Sequence, residues 1–193
     1  MEKDFKELVI TNAKKIFIRY GYNKTTMSDI AKECHKSKGL IYHHYSSKEE
    51  IFRIIVTREF DKTVSKLIDN ISQEDDCRQQ LTSFVEVCWG YFINETKLYY
   101  RVVTELNEYF HLIEDIIKGF IGQLITLLGN ILQNGIRQGI YEIKDIKSYT
   151  VTLLNLILAS NNMFVQNDIT LKTEMQPNIN EFVDIILNGI VKR

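Results

Sequence analysis

Apolar side chains recur at steps of three and four along most of this chain, the period of helices with one buried face. Phe5, Leu8, Val9, Ala13, Ile16, Phe17 and Tyr20 mark a first helix, which Gly21 stops. Thr26 with Asp29 has the spacing of a capping box, so a second helix starts there, carries Met27, Ile30 and Ala31 inward and ends near Cys34. Ser37 is the next cap, which leaves Cys34 to Lys36 as the turn of a helix-turn-helix. Ser46 with Glu49, or Ser47 with Glu50, opens a fourth helix through Ile51, Ile54, Ile55, Arg58 and Val64 to about Ile68, and the acidic stretch from Asn70 to Cys77 is the connector.

Leu81, Phe84, Val85, Cys88, Trp89 and Phe92 set a fifth helix, with a short sixth from Lys97 to Leu106 and a seventh from His111 to Arg137 that ends at Gly139. Tyr149, Leu153, Leu156, Ile157 and Met163 lie on an eighth, Asp145 to Val165. Asn167 to Asn178 is a loop, and Ile179, Phe182, Val183, Ile186, Leu187 and Ile190 lie on a ninth, Asn178 to Val191. The pattern predicts an all-α fold of nine helices. A single proline agrees, since proline lacks the backbone donor that helix interiors need.

Charge divides the chain in a way its net value of −1 conceals. Residues 1–45 hold nine of the 24 basic and five of the 25 acidic residues, so this segment is +4 and the remainder −5. A basic segment on an acidic body suits a nucleic-acid binder joined to another function. Three cysteines, Cys34, Cys77 and Cys88, are odd in number and lack metal-ligand spacing, and the N-terminus has no apolar leader, which points to reduced thiols in the cytoplasm. The most apolar run, Gly119 to Leu132, is shorter than the ~20 residues of a membrane span, so no membrane partner is expected.

The stretch from Ser37 to Glu50, SKGLIYHHYSSKEE, is where composition turns into chemistry. A helix from Lys38 to Tyr45 is too short to be stable alone, so packing must hold it. Ile41 and Tyr45 share one side and can dock on the first two helices. Lys38, Gly39, Leu40, Tyr42, His43 and His44 are then free on the other, a set that suits entry into a major groove: glycine permits close approach, and tyrosine and histidine supply hydrogen-bonding groups. Adjacent histidines point about 100° apart and no cysteine or aspartate completes a ligand set, so no metal is expected.

The segment TTMSDIAKECHKSKGLIYHHYSSKEEIF, Thr25 to Phe52, resembles without gaps the DNA-binding signature of the TetR family of bacterial transcriptional repressors, T-x-x-x-I-A-x-x-A-G-V-S-x-G-x-[LI]-Y-x-[YH]-F-x-[SN]-K-E-x-[LI]. With the preceding helix, the resemblance covers roughly a quarter of the chain. It implies a two-domain architecture, with a three-helix DNA-binding domain at 1–47 and a helical ligand-binding and dimerisation domain at 48–193. It also implies that Thr26, Ser37, Tyr42 and Lys48 contact phosphates while Lys38, Gly39, Leu40, His43 and His44 face the groove. The family's A-G-V becomes Cys34, His35 and Lys36 here. His35 in the glycine's left-handed conformation would cost on the order of 1 kcal/mol.

The resemblance further implies a homodimer on a palindromic double-stranded DNA operator, released by a small-molecule inducer, with no cofactor. Leu153, Leu156, Ile157, Ile179, Phe182, Ile186 and Ile190 are the candidate dimer residues. Aromatic side chains of the larger domain are core by default but can leave a cavity for an apolar or planar molecule. Phe84, Trp89, Phe92, Tyr100, Arg101, Glu105, Tyr109, Phe120 and Phe164 are the candidate pocket residues. The alternatives are an activator, a DNA binder controlled by a protein partner, and a helical enzyme or small-molecule carrier. Against an enzyme stand the missing P-loop, H-E-x-x-H and G-x-S-x-G patterns.

Overall fold

Capping side chains and the residues that stop each helix settle most element boundaries. The computed structural model describes residues 2–94, 96–166 and 178–188, and the side chains of these other than 90–110 and 161–166. Eight helices are present among the described residues: α1 (Glu2–Tyr20), α2 (Met27–Glu33), α3 (Lys38–His44), α4 (Lys48–Ser72), α5 (Cys77–Asn94), α6 (Thr96–Arg137), α7 (Ile146–Gln166) and α8 (Ile179–Asn188). No strand is found among them. The fold is all-α, as the periodicity predicts.

The expected sixth and seventh helices form one helix, α6, of 42 residues. Nothing between Leu106 and His111 breaks it, since neither proline nor glycine is there. The expected connector after α4 is also shorter, because the helix runs on to Ser72. Asp76 then accepts from the Arg78 amide at 2.9 Å at the start of α5, and Asp145 from the Ser148 amide at 3.1 Å at the start of α7. The expected loop at 167–177, with the proline, lies outside the described residues.

The chain divides into two compact units, Met1–Asp61 with Thr96–Lys118, and Lys62–Glu95 with Gly119–Arg193. Neither is bounded at residue 47. In the first unit Val9, Ala13, Ile16 and Phe17 of α1, Met27, Ile30 and Ala31 of α2, Ile41 of α3 and Ile51, Phe52 and Ile55 of α4 are buried. Phe17 meets Phe52 edge-on at 5.5 Å, and Tyr22 lies 4.8 Å from Phe52. In the second unit α5 packs on α7 and α8, and Phe84, Leu81, Leu124, Leu128, Ile131 and Ile157 are buried. By length and composition alone, Glu114–Arg137 could cross a membrane, which core helices can also satisfy.

Two helices end in the same reciprocal pattern. After α2 the Lys36 amide donates to Ala31 and the His35 amide to Lys32, both at 3.0 Å, while His35 adopts φ 52°. After α6 the Ile140 amide donates to Gly135 at 2.9 Å and the Gly139 amide to Ile136 at 3.0 Å, with Gly139 at φ 71°. Both are Schellman ends, whose left-handed residue is usually glycine. The expected left-handed backbone at His35 is therefore present. Just past the second end, Tyr141 folds back so close to Gly135 that a Cβ there would meet its ring at 2.1 Å.

These two positions have opposite expected outcomes in thermal and urea unfolding. His35→Gly removes left-handed strain but loosens the unfolded chain, for a net gain of about 0.5 kcal/mol. Gly135→Ala gains helix propensity but collides with a buried ring, for a net loss of about 1–2 kcal/mol. A loss of stability in the first variant, or a gain in the second, would contradict this account of the helix ends.

Candidate nucleic-acid interface

Helix α3 has only seven residues, so its stability is that of its contacts. Ser37 caps it by accepting from the Leu40 amide at 3.2 Å. Ile41 is fully buried, and Tyr45, the C-cap, is buried with its hydroxyl donating to the Lys6 carbonyl of α1 at 3.3 Å. Burial pushes the Tyr45 phenol above its ordinary pKa. The inward side is the one the sequence indicates.

The outward side carries Lys38, Gly39, Leu40, Tyr42 and His43, all exposed, with Leu40 at 39% and Tyr42 at 46%. Exposed apolar and aromatic side chains on so short a helix contribute nothing to its packing. The Lys38 ammonium lies over the Tyr42 ring at 5.6 Å, which aligns two side chains one turn apart. A Cβ on Gly39 would meet nothing within 4 Å, so the fold itself does not require glycine there. His44 is half-buried, its ring 4.7 Å from Phe5 of α1.

The flanking candidates sit at helix starts. Thr26 caps α2 with the full reciprocal box: its hydroxyl accepts from the Asp29 amide at 3.2 Å, and the Asp29 carboxylate accepts from the Thr26 amide at 2.9 Å and its hydroxyl at 2.6 Å. The Thr26 hydroxyl and amide hold the Asp29 carboxyl below its usual pKa. At α4 the sequence leaves two caps open, and Ser47 is the one formed, accepting from the Glu50 amide at 3.1 Å. The Glu50 carboxylate reaches back to the Ser46 amide and hydroxyl, each at 2.7 Å. Lys48 is half-buried, its ammonium donating to the Tyr22 carbonyl at 2.8 Å and lying 4.1 Å from that residue's ring centre. Tyr22 was missed in the sequence because it lies in the turn between α1 and α2, outside any periodic stripe.

The candidate pocket residues with described side chains, Phe84, Trp89 and Phe120, are all buried in the second unit. Trp89 packs on Phe182 at 5.0 Å. Phe92, Tyr100, Arg101, Glu105, Tyr109 and Phe164 lie outside the described side chains. Of the candidate dimer residues, Leu153 and Ile157 are buried within this chain, and α7 packs on α5. Ile186 is likewise buried, Ile179 and Phe182 are half-buried, and Ile190 lies outside the described residues. Leu156 is 54% exposed, as an interface residue would be in a lone chain.

Val151 and Ile185 are apolar, exposed, and absent from the expected set; Ile185 is 74% exposed. Helical phase was the available signal. Ile185 lies about 200° around α8 from the buried Val183, outside the inward stripe. Among the described residues no cluster of histidine, cysteine and carboxylate side chains could hold a metal ion. All three cysteines are free and buried, and burial pushes the Cys88 thiol up to about 12.

The sequence profile of the bacterial regulatory proteins of the tetR family matches residues 9–55, from the middle of α1 into α4. The regulator QacR of Staphylococcus aureus is 25% identical over 199 residues, covering 98% of this chain and all of its own. Two other curated regulators are 37% and 33% identical over shorter stretches, and the chain spans only 30% and 43% of their length. Among solved structures, a TetR transcription regulator from Haloarcula marismortui has a TM-score of 0.83 at 17% identity, covering 98% of this chain and all of its own. FadR from Bacillus subtilis, solved in complex with stearoyl-CoA, has a TM-score of 0.72 at 19% identity over 94% of this chain and 95% of its own. The capped helix-turn-helix, the outward face of α3 and the profile matched across both show that residues 9–55 are the N-terminal domain of the tetR family of bacterial regulatory proteins.

Proposed function

We propose that the chain is a homodimeric repressor that binds a palindromic operator through residues 1–47, and that residues 48–193 carry the dimer contact and a site for a small, largely apolar or aromatic inducer. The observation that carries this reading is the face of α3. Its exposed Leu40 and Tyr42, with Lys38 aligned on Tyr42 and open space at Gly39, make no sense as packing and good sense as groove contacts. In that reading Thr26, Ser37, Tyr42 and Lys48 lie along phosphates and Lys38, Gly39, Leu40, His43 and His44 meet base edges. The cytoplasm is where such a protein would meet its operator.

The second half of the proposal rests on other observations. Val151 and Leu156 of α7 and Ile185 of α8 are the exposed large apolar residues among the described residues of the two helices assigned to dimerisation, and they suit a partner of the same kind. A twofold pair of recognition helices about one turn of DNA, ~34 Å, apart would read a palindrome. The aromatic core of the second unit and the acyl-CoA held by the similarly folded FadR support an apolar inducer. A coupling of only ~1–3 kcal/mol between inducer and operator would be enough to regulate.

The test begins with fluorescence anisotropy on duplexes selected from a random library, at several salt concentrations. Tyr42→Ala is expected to weaken binding about 5- to 10-fold, the loss of one phosphate hydrogen bond. Lys48→Ala is expected to lower the magnitude of the salt slope by about one contact, ~0.9. Affinity and slope unchanged in both variants would remove these residues from the interface. A separate double variant, Leu156→Glu with Ile185→Glu, is expected to be monomeric by light scattering and to bind the selected duplex poorly. A dimer that survives it places the interface elsewhere.

A further inference from the structure

Two adjacent histidines end α3, and their surroundings give them a property that the other groove-facing residues lack. The His43 and His44 rings meet edge to face with centroids 4.9 Å apart. His43 is exposed, and His44 is half-buried against Phe5. The charged neighbours on α1 are Glu2 and Lys6, which pair with each other at 2.9 Å. The Glu2 carboxyl is held below its usual pKa by Lys6 first and by His44 and His43 after it. On α3 itself Lys38 is the nearest formal charge by sequence and is directed to Tyr42. Glu50 of α4, beyond Tyr45, is engaged by Ser46. Thus Glu2, already shared with Lys6, faces two imidazoles.

We propose that DNA binding by this chain takes up a proton at the His43–His44 pair, so that affinity for duplex DNA rises as pH falls through the histidine range. The inference rests on the reading that α3 enters the groove. Imidazoles gain their proton between pH 5 and 8. Between phosphates the negative potential of DNA favours each added cation. The complex therefore holds more protons than the free protein. The extra binding is complete below the free-state titration of the pair and is lost as pH rises through that of the complex.

The experiment uses the full chain and a duplex selected from a random library at both pH 6 and pH 8. Dissociation constants are measured by anisotropy from pH 5.5 to 8.5 at fixed ionic strength. For one imidazole whose proton is held about tenfold more tightly in the complex, binding at pH 6 is expected to be about 5- to 10-fold tighter than at pH 8. The salt slope should also be steeper at pH 6 by up to ~0.9. In the double variant His43→Gln with His44→Gln the affinity should no longer vary with pH, whatever its absolute value. Should that variant not fold by circular dichroism, His43→Gln with His44→Phe keeps a ring against Phe5 and removes both titrating groups.

A wild-type affinity that does not change with pH overturns the proposal. So does a pH dependence that persists in the folded double variant, since His35 or His111 would then be its source. If no duplex is bound at any pH, the DNA-binding reading fails first and the proposal falls with it.

Discussion

The burial of one side of α3 is the constraint on which the exposed face depends. Seven residues cannot hold a helix in water, since nucleation outweighs the few hydrogen bonds gained. Ile41 anchors the middle of the element, and Tyr45 anchors its end with both its ring and its hydroxyl, which reaches the Lys6 carbonyl of α1. With those two positions fixed, the helical period alone puts Lys38, Leu40, Tyr42 and His43 outward. The side of the helix on which they stand is therefore a consequence of packing.

The frame around α3 is held by charge as well as by apolar contact, and the pairs differ in weight. Within the first unit α4 reaches α1 twice: Glu59 accepts from Lys14 at 2.7 Å, and Arg58 donates to Glu7 at 2.6 Å. Arg58 and Glu7 are exposed, so their pair is worth roughly 0–1 kcal/mol. Glu59 is only 6% exposed, and loss of Lys14 would leave its carboxylate buried without that partner, a defect of roughly 3–5 kcal/mol. On α6, Asp115 receives both guanidinium nitrogens of Arg53, at 2.9 and 2.6 Å, and Arg53 also donates to the Leu112 carbonyl. The planar fork of arginine makes that contact directional where a lysine would give only a point charge.

Local signals were legible in the sequence wherever a side chain answers its own backbone. The Thr26 and Ser37 caps, the turn at 34–36 and the left-handed His35 all follow from rules that act within a few residues. The choice between Ser46 and Ser47 was not legible, because both spacings fit a capping box. It is settled by the Glu50 carboxylate, which engages Ser46 while its amide engages Ser47. The continuity of α6 was missed for a related reason. A lapse in the apolar pattern is not by itself a break, since a helix needs a proline, a glycine or a competing cap to end it.

The exposed apolar positions of α7 and α8 were harder to read because periodicity reports burial without saying what does the burying. Leu153 and Ile157 repeat at helical spacing for the sake of α5, and Leu156 repeats one step out of phase with them. On α8 Asn180, Glu181, Asp184 and Asn188 form a polar face, and Ile185 falls beside it although it reads as one more apolar residue in the run. The packing of Val183, Ile186 and Leu187 inward agrees with that phase and leaves Ile185 outward. An apolar residue held in water against its own preference is the more informative observation, because the fold gains nothing by placing it there. The same reasoning applies at both ends of the chain: Leu40 and Tyr42 on α3 and Leu156 and Ile185 on α7 and α8 are exposed where burial would have been the cheaper arrangement.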